Sequence, residues 1–335
     1  MTRFPLPVAL AVLALALALA IVAGVAYGAV TIPPDRIIAV LAGGGDRTDA
    51  TIVLMLRLPR VLGAALVGAA LAVAGALLQG MLRNPLADPY VLGTSAGGAL
   101  GAVVGLLLGG ALGLFAVPTL AFAGALLSVY LVWRLARVGP ETPVVTLLLA
   151  GVVLSAVVGS LITFLEVASD RLQLRLSTLL GLLVGGVSVI SWTQLAIAAA
   201  LVGVALVVGL VFAHRLDAFS FGDEIAAALG VDVEGTKRVV LTTAALLAAA
   251  AVSLAGLVGF VGLVAPHLVR AVLGPAHTRL VPAAALTGAA FLVAADLLAR
   301  IALAPTELPV GVVTGLIGGP FFFALLWRQR AGYRL

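Results

Sequence analysis

The chain has no cysteine, three histidines (His214, His267 and His277) and one lysine, Lys237, and only 10% of its 335 residues are charged. Without cysteine, disulfides, thiolate metal sites and iron–sulfur ligation are excluded. Three dispersed histidines poorly supply a site for a bare transition metal, so no metal ligands are assigned. The lysine is followed by Arg238, whereas a phosphate-binding P-loop needs Gly-Lys followed by Ser or Thr. This chain therefore carries no Walker-type ATP site, and no bound cofactor is expected. A net charge of +5 and a pI near 10.4 would suit nucleic acid only if the basic residues clustered. They lie scattered at the ends of apolar runs, as membrane topology requires, so no nucleic-acid partner is expected. No acid, base and nucleophile converge in the sequence, which argues against an enzyme.

Apolar residues are what the chain has: 63% of the total, with a mean hydropathy of +1.27. About 20 apolar residues at 1.5 Å rise match the hydrocarbon thickness of a bilayer. The pattern predicts an all-α, polytopic membrane protein with about ten spans. These are Leu6 to Val30, Val61 to Leu82, Tyr90 to Gly110, Leu112 to Trp133, Pro143 to Leu165, Val189 to Ala213, Val239 to Leu263, a short span ending at Leu273, Leu280 to Leu303, and Leu308 to Trp327. The first run, 25 residues long, exceeds a signal-peptide core and reads as a retained helix. Gly97, Gly101, Gly105 and Gly109 recur every four residues and lay a smooth ridge for helix packing. Pro266 reads as a break, and Arg171 to Ser188 as a short surface helix.

Ten crossings place both termini on one side. With that side inside, twelve basic residues face the cytoplasm and seven (Arg36, Arg47, Arg57, Arg60, Arg171, Arg175, Arg300) face out, which favours cytoplasmic termini. Gly75, Pro85 and Gly93 recur 181 residues later as Gly256, Pro266 and Gly274. The copies begin five crossings apart and would be inverted in the membrane, a design used for alternating access. One membrane domain, 1–335, then divides into a first repeat at about 57–166, a polar loop at 214–238 and a second repeat at about 238–327.

Two stretches carry unusual charge. Arg57 and Arg60 precede the second apolar run, where the positive end of a helix dipole would disfavour them. In the polar loop, Asp223 to Leu229 suits a two-turn helix with acids in its first turn and Gly230 as its stop. Asn84 and Asp88 can cap the helices flanking Pro85 and Pro89.

Five motifs in order, Leu58-Pro59-Arg60, Arg83-Asn84-Pro85-Leu86-Ala87-Asp88-Pro89, Gly259 to His267, Ala295 to Arg300 and Glu307-Leu308-Pro309-Val310-Gly311, resemble those of FecCD/BtuC-type permeases from about Leu56 to Trp327. These are membrane subunits of ATP-binding-cassette importers for ferric siderophores, haem and cobalamin. The resemblance implies a homodimer with one central path, two ATPase subunits that bind ATP and Mg on the cytoplasmic face, and an extracytoplasmic substrate-binding protein, all in a bacterial or archaeal cell membrane. It assigns docking of the binding protein to Arg57, Arg60 and Arg300, although Arg300 also has Asp296 one turn earlier as a partner. Asp223, Glu224, Ala226, Ala227 and Gly230 fall on the family's ATPase-coupling helix. The path is implied along the fifth and tenth spans, with Thr146, Ser155, Ser160, Gly311, Thr314, Gly315 and Gly319 as candidates; the same glycines also suit helix packing. Ser177 to Gly181 departs from the aromatic-rich turn common in the family. An iron chelate is the leading cargo, and cobalamin the alternative. A proton- or sodium-coupled carrier would need ionisable residues at mid-membrane, and only Asp296, one turn from its helix end, comes near.

Overall fold

The computed structural model describes residues 5–332 apart from Leu114, Pro140 and Ile190, and leaves undescribed the side chains of 109–112, 176–179, 326 and 328–332. Its elements in chain order are α1 (Leu6–Ala26), α2 (Pro34–Leu41), α3 (Arg47–Ala50) running into a π segment (Thr51–Arg57), α4 (Leu58–Met81), a 3-10 turn (Pro89–Leu92), α5 (Thr94–Leu112), α6 (Ala116–Ala136), α7 (Val144–Ala168), α8 (Asp170–Gln173), α9 (Leu176–Val184), α10 (Trp192–Phe219), α11 (Asp223–Ala228), α12 (Val233–Ala255), α13 (Val261–Leu273), α14 (His277–Ile301) and α15 (Val310–Gly332). Seven described helices are long and apolar enough to cross a membrane, and shorter apolar helices at Thr94–Leu108, Val261–Leu273 and Val310–Leu325 complete the ten expected.

The core is built around α4, which packs against α10, α12, α13 and α14. Its glycines set how closely. A Cβ at Gly68 would fall 2.1 Å from the Gly288 carbonyl oxygen, and one at Gly75 would fall 1.9 Å from that of Gly262, so α14 and α13 lie backbone to backbone on α4. The ridge of Gly97, Gly101 and Gly105 does the same for α5 on α6, meeting Gly124, Leu120 and Val117.

The pairings α5–α6, α5–α7, α4–α13 and α4–α14 have counterparts in α13–α14, α13–α15, α12–α5 and α12–α6. The two sets exchange when α4 to α7 are swapped for α12 to α15. After α4 the chain doubles back through the 82–93 turn, so that Pro89 packs on Gly262. Beyond α12, the 256–260 stretch meets that turn, where the Val258 N–H donates to the Tyr90 hydroxyl at 3.2 Å. The spaced residues of the 181-residue repeat do not share roles, however. Gly75 lies inside α4 whereas Gly256 ends α12, and Pro85 lies in a turn whereas Pro266 lies within α13.

Pro266 is therefore not the break expected of it. The chain unwinds earlier, at Gly256 (φ 61°), and restarts at Phe260, which is left-handed (φ 68°). Inside α13, Pro266 has no N–H for the carbonyl four residues back. The side chain of Gln79 on α4 supplies it, donating to the Gly262 oxygen at 3.1 Å. The helix thus tolerates its proline because a neighbour completes its ladder. His267, next to that proline, sits mid-helix against Phe321.

Candidate functional site

The helix that begins at Arg47 runs unbroken to Met81, so Arg57 and Arg60 lie well inside it rather than at its start. The dipole conflict expected there is absent. Within the π segment, Leu58 N bonds back five residues to Val53 O, and Pro59 follows with no N–H to give. The passed-over Leu54 carbonyl accepts from Trp192 Nε1 at 3.1 Å.

Arg57 is buried, and its guanidinium donates to Val25 O (2.9 Å), Ala26 O (3.0 Å) and Val30 O. Arg300 donates to Gly24 O (2.8 Å) and Tyr27 O (3.1 Å). The last four carbonyls of a helix have no partner within it. Here Ala23 O accepts from Tyr27 N, Gly24 O from Arg300, Val25 O from Arg57, and Ala26 O from both Arg57 and Ile32 N. Two arginines from other helices thus cap α1 at the negative end of its dipole, where cations are favoured.

Arg60 is placed differently. Its Nε meets Asp296 Oδ1 at 2.9 Å, and its Nη1 meets Glu307 Oε2 at 2.7 Å. Asp296 is 1% exposed and holds Arg300 Nε with its other oxygen at 3.0 Å, whereas the Arg60 and Glu307 side chains are 24% and 47% exposed. All three arginines and Glu307 line one cavity of about 490 Å³, walled by Met55, Val187 and Val189 among others. Three guanidiniums face two carboxylates, which leaves one positive charge uncompensated. Sequence alone grouped the arginines but missed Glu307; the signal was an acid flanked by proline in the loop nearest Arg300.

The opposite end of α4, about 36 Å of helix away, carries the second cluster. The expected short helix is α11, ended by Gly230 at φ 83°. Asp223 is held by Lys237 at 2.8 Å and Arg83 at 3.5 Å, and Lys237 also meets Glu234 at 2.9 Å. Ala226 is buried beneath α11, while Glu224, Ala227, Ile225, Leu229 and the preceding Phe221 are exposed. This apolar outward surface is anchored from below by salt bridges.

In the 82–93 turn, Asp88 caps the 3-10 turn by accepting from Tyr90 N at 2.8 Å. Densely surrounded by protein, its carboxyl is pushed up by burial from 3.8 to about 6. Asn84 caps no helix; its side chain accepts from Leu86 N at 2.9 Å and shapes the turn at Pro85.

Of the path candidates, Ser160 is exposed on α7 and bonds its own helix at Ala156 O, and Thr146 and Ser155 are half-buried there. Cβ atoms at Gly315 and Gly319 would meet open space. Thr314 is 0% exposed, and its hydroxyl donates to Gly311 O at 3.2 Å; Gly311 itself packs on the Val184 carbonyl. Thr314 is thus enclosed within the chain, while Gly311 is half-buried at its contact with Val184. The departure noted at Ser177 to Gly181 falls largely on side chains outside those described.

Ten apolar helices among the described residues, one of them central with charged clusters at its two ends, define a multi-span transport permease. The chain belongs to the FecCD transport family, whose sequence profile matches residues 15–328. It is 43% identical over 328 residues to the cobalamin import system permease protein BtuC of Halobacterium salinarum, covering 97% of this chain and 86% of that one. It is also 43% identical over 281 residues to the hemin transport system permease protein HmuU of Yersinia pestis, covering 83% of each. Among solved structures, an inward-facing metal-chelate type ABC transporter aligns with a TM-score of 0.84 and 29% identity, over 96% of this chain and 99% of that one.

Proposed function

We propose that this chain is the permease subunit of an ATP-driven importer that carries a metal chelate into the cytoplasm, working as a pair with a second copy of itself. The observation that carries this reading is the placement of an arginine-lined cavity and an exposed, salt-bridged α11 at opposite ends of one buried helix in a FecCD-family chain. The excess of basic residues at the α11 end favours a cytoplasmic position for that end and for both termini. There the exposed face of α11 seats in a separate ATPase, which binds ATP and Mg, while Asp223, through Arg83 and Lys237, passes its movement to α4 and α12. At the other end, carboxylates of a binding protein meet the arginine cavity. Arg60 offers the accessible guanidinium, and Arg57 and Arg300 hold the wall of that cavity. The exposed apolar faces of α7 and α15, with residues such as Leu149, Val153 and Leu316, suit the second copy and a path between the two.

The 43% identical relatives are named for cobalamin and hemin, both tetrapyrrole chelates, so we place such a macrocycle ahead of a siderophore as cargo. A path of serine, glycine and aliphatic side chains, with no histidine or carboxylate among its candidates, fits a metal that travels wrapped in its ligand. The test is ATP hydrolysis by the permease–ATPase complex in lipid discs, with the binding protein loaded with cobalamin, hemin or a ferric hydroxamate. Stimulation by a tetrapyrrole-loaded binding protein, lost in Arg60→Glu, is expected. A complex that ignores the binding protein overturns the importer reading, and stimulation by the hydroxamate alone overturns the cargo.

A further inference from the structure

The arginine cavity is already occupied by an acid of this chain. Asp296 is fixed: it is buried, and its two oxygens are shared between Arg60 and Arg300. Glu307 is the opposite, nearly half exposed and held by Arg60. It stands three residues before Val310, where α15 begins. Its segment is otherwise tied to α14 by Leu308 N donating to Ala299 O at 2.9 Å, and α15 is tied to the 185 turn by Gly311 N donating to Gly185 O at 3.2 Å. The Arg60–Glu307 bond therefore links the start of α15 to α4, most of whose residues are buried.

We propose that Glu307 is a resident stand-in for the carboxylate of the docking protein, and that exchange of one acid for the other on Arg60 is how docking is reported to α15. This rests on the docking reading above and adds to it a second, internal consequence. An incoming carboxylate finds in Arg60 a guanidinium already oriented by Asp296 for a second acid, at the edge of a cavity with one unbalanced positive charge. Taking that guanidinium frees Glu307 into water and removes one of the tethers on the first turn of α15. An exposed ion pair contributes little net stability, so replacing one carboxylate by another is close to balanced and reversible. Such balance suits an event repeated in every transport cycle.

The experiment uses the permease–ATPase complex in lipid discs with Glu307→Gln, which keeps Arg60 and removes its internal competitor. Binding-protein affinity should tighten about two- to fivefold, the worth of an exposed pair, and ATP hydrolysis without binding protein should rise toward the stimulated rate. Because the chain has no cysteine, a spin label on Thr306→Cys reports the segment directly. It should become more mobile when binding protein is added to the chain carrying native Glu307, and should already be mobile in Glu307→Gln. Unchanged affinity and unchanged basal hydrolysis in Glu307→Gln, or a label that binding protein leaves immobile, overturn the exchange. Should Glu307→Gln fail to fold, the label on the native-Glu307 chain decides alone. Arg60→Gln run in parallel separates the two ideas. Stimulation that needs Arg60 but ignores Glu307 sinks only the exchange, whereas stimulation indifferent to Arg60 sinks the docking reading itself.

Discussion

Replacing Arg57 by glutamine separates a structural arginine from a docking one. Arg57 satisfies the carbonyls of Val25 and Ala26 from inside the protein and reaches Val30 at the cavity. A hydrogen bond from a charged donor contributes about 1.5–3 kcal/mol, and a buried carbonyl left alone forfeits its hydration as well. Two such bonds sum to roughly 3–6 kcal/mol. Ala26 O keeps its bond from Ile32 N, cavity water can re-solvate part of the site, and loss of Arg57 relieves its repulsion with Arg300, so a net loss of about 2–4 kcal/mol is expected. Arg60→Gln should cost less, about 1–2 kcal/mol, because Glu307 returns to water and Asp296 keeps Arg300, although the other oxygen of buried Asp296 loses a charged donor. The assay is equilibrium unfolding by SDS in mixed micelles, followed by tryptophan fluorescence. Arg57→Gln should unfold at clearly lower SDS, and Arg60→Gln closer to the native midpoint while losing binding-protein affinity. If Arg57→Gln is as stable as the native chain yet fails to bind, its guanidinium serves the partner, and the capping of α1 is refuted.

Two further substitutions test the fold around the site. Gly75→Ala must move the Gly262 carbonyl from 1.9 Å to an ordinary 3.4 Å, a displacement of 1.5 Å between α4 and α13; a loss of about 1–3 kcal/mol is expected. Gly159→Ala on α7, with nothing within 4 Å, should be neutral or slightly stabilising in the same SDS titration. For Asp88, a folded-state carboxyl near 6 against an ordinary 3.8 means that the folded chain holds a proton the unfolded chain has released. Stability should therefore fall as pH rises from about 4 to 6 and level off above. Asp88→Asn keeps an acceptor for Tyr90 N and should flatten that part of the pH profile; a native-like slope in the variant assigns it to another group.

Hydropathy and glycine spacing made most of the fold legible. Each span is a long apolar run, and the α5 ridge follows from a four-residue period because one turn of helix repeats a face. Local rules failed where a distant residue overrode them. The polar, glycine-rich stretch before Arg57 reads as loop, yet its last part is the start of the α4 helix, stabilised through the π segment by a tryptophan 138 residues away. Pro266 reads as a break because the rule for proline counts only the helix's own ladder, and Gln79 lies on another helix. Thr314 reads as a polar lining because a sequence does not say that the hydroxyl turns onto its own backbone. The arginines were legible as a group by topology. Their division of labour was not, since it depends on the end of α1 arriving beside Arg57 and Arg300.

That division bears on where movement can occur. Between its two charged ends, α4 is buried at most positions, without a break from Ala70 to Gln79, and touches two neighbouring helices through glycine backbones, with no side chain between to change rotamer. A helix so enclosed transmits force as a rod and does not bend to it. By contrast, α7 is buried at only Leu147, Gly151, Val158 and Ile162, and α15 offers open space at Gly315 and Gly319. Their apolar outer faces have few internal partners to lose. If nucleotide-driven motion enters at α11 through Asp223, α4 hands it to the arginine end unchanged, and the shape of the path must alter where packing is thin. Glu307 sits where these two regimes join, bonded to the rod and three residues from the loosely packed helix.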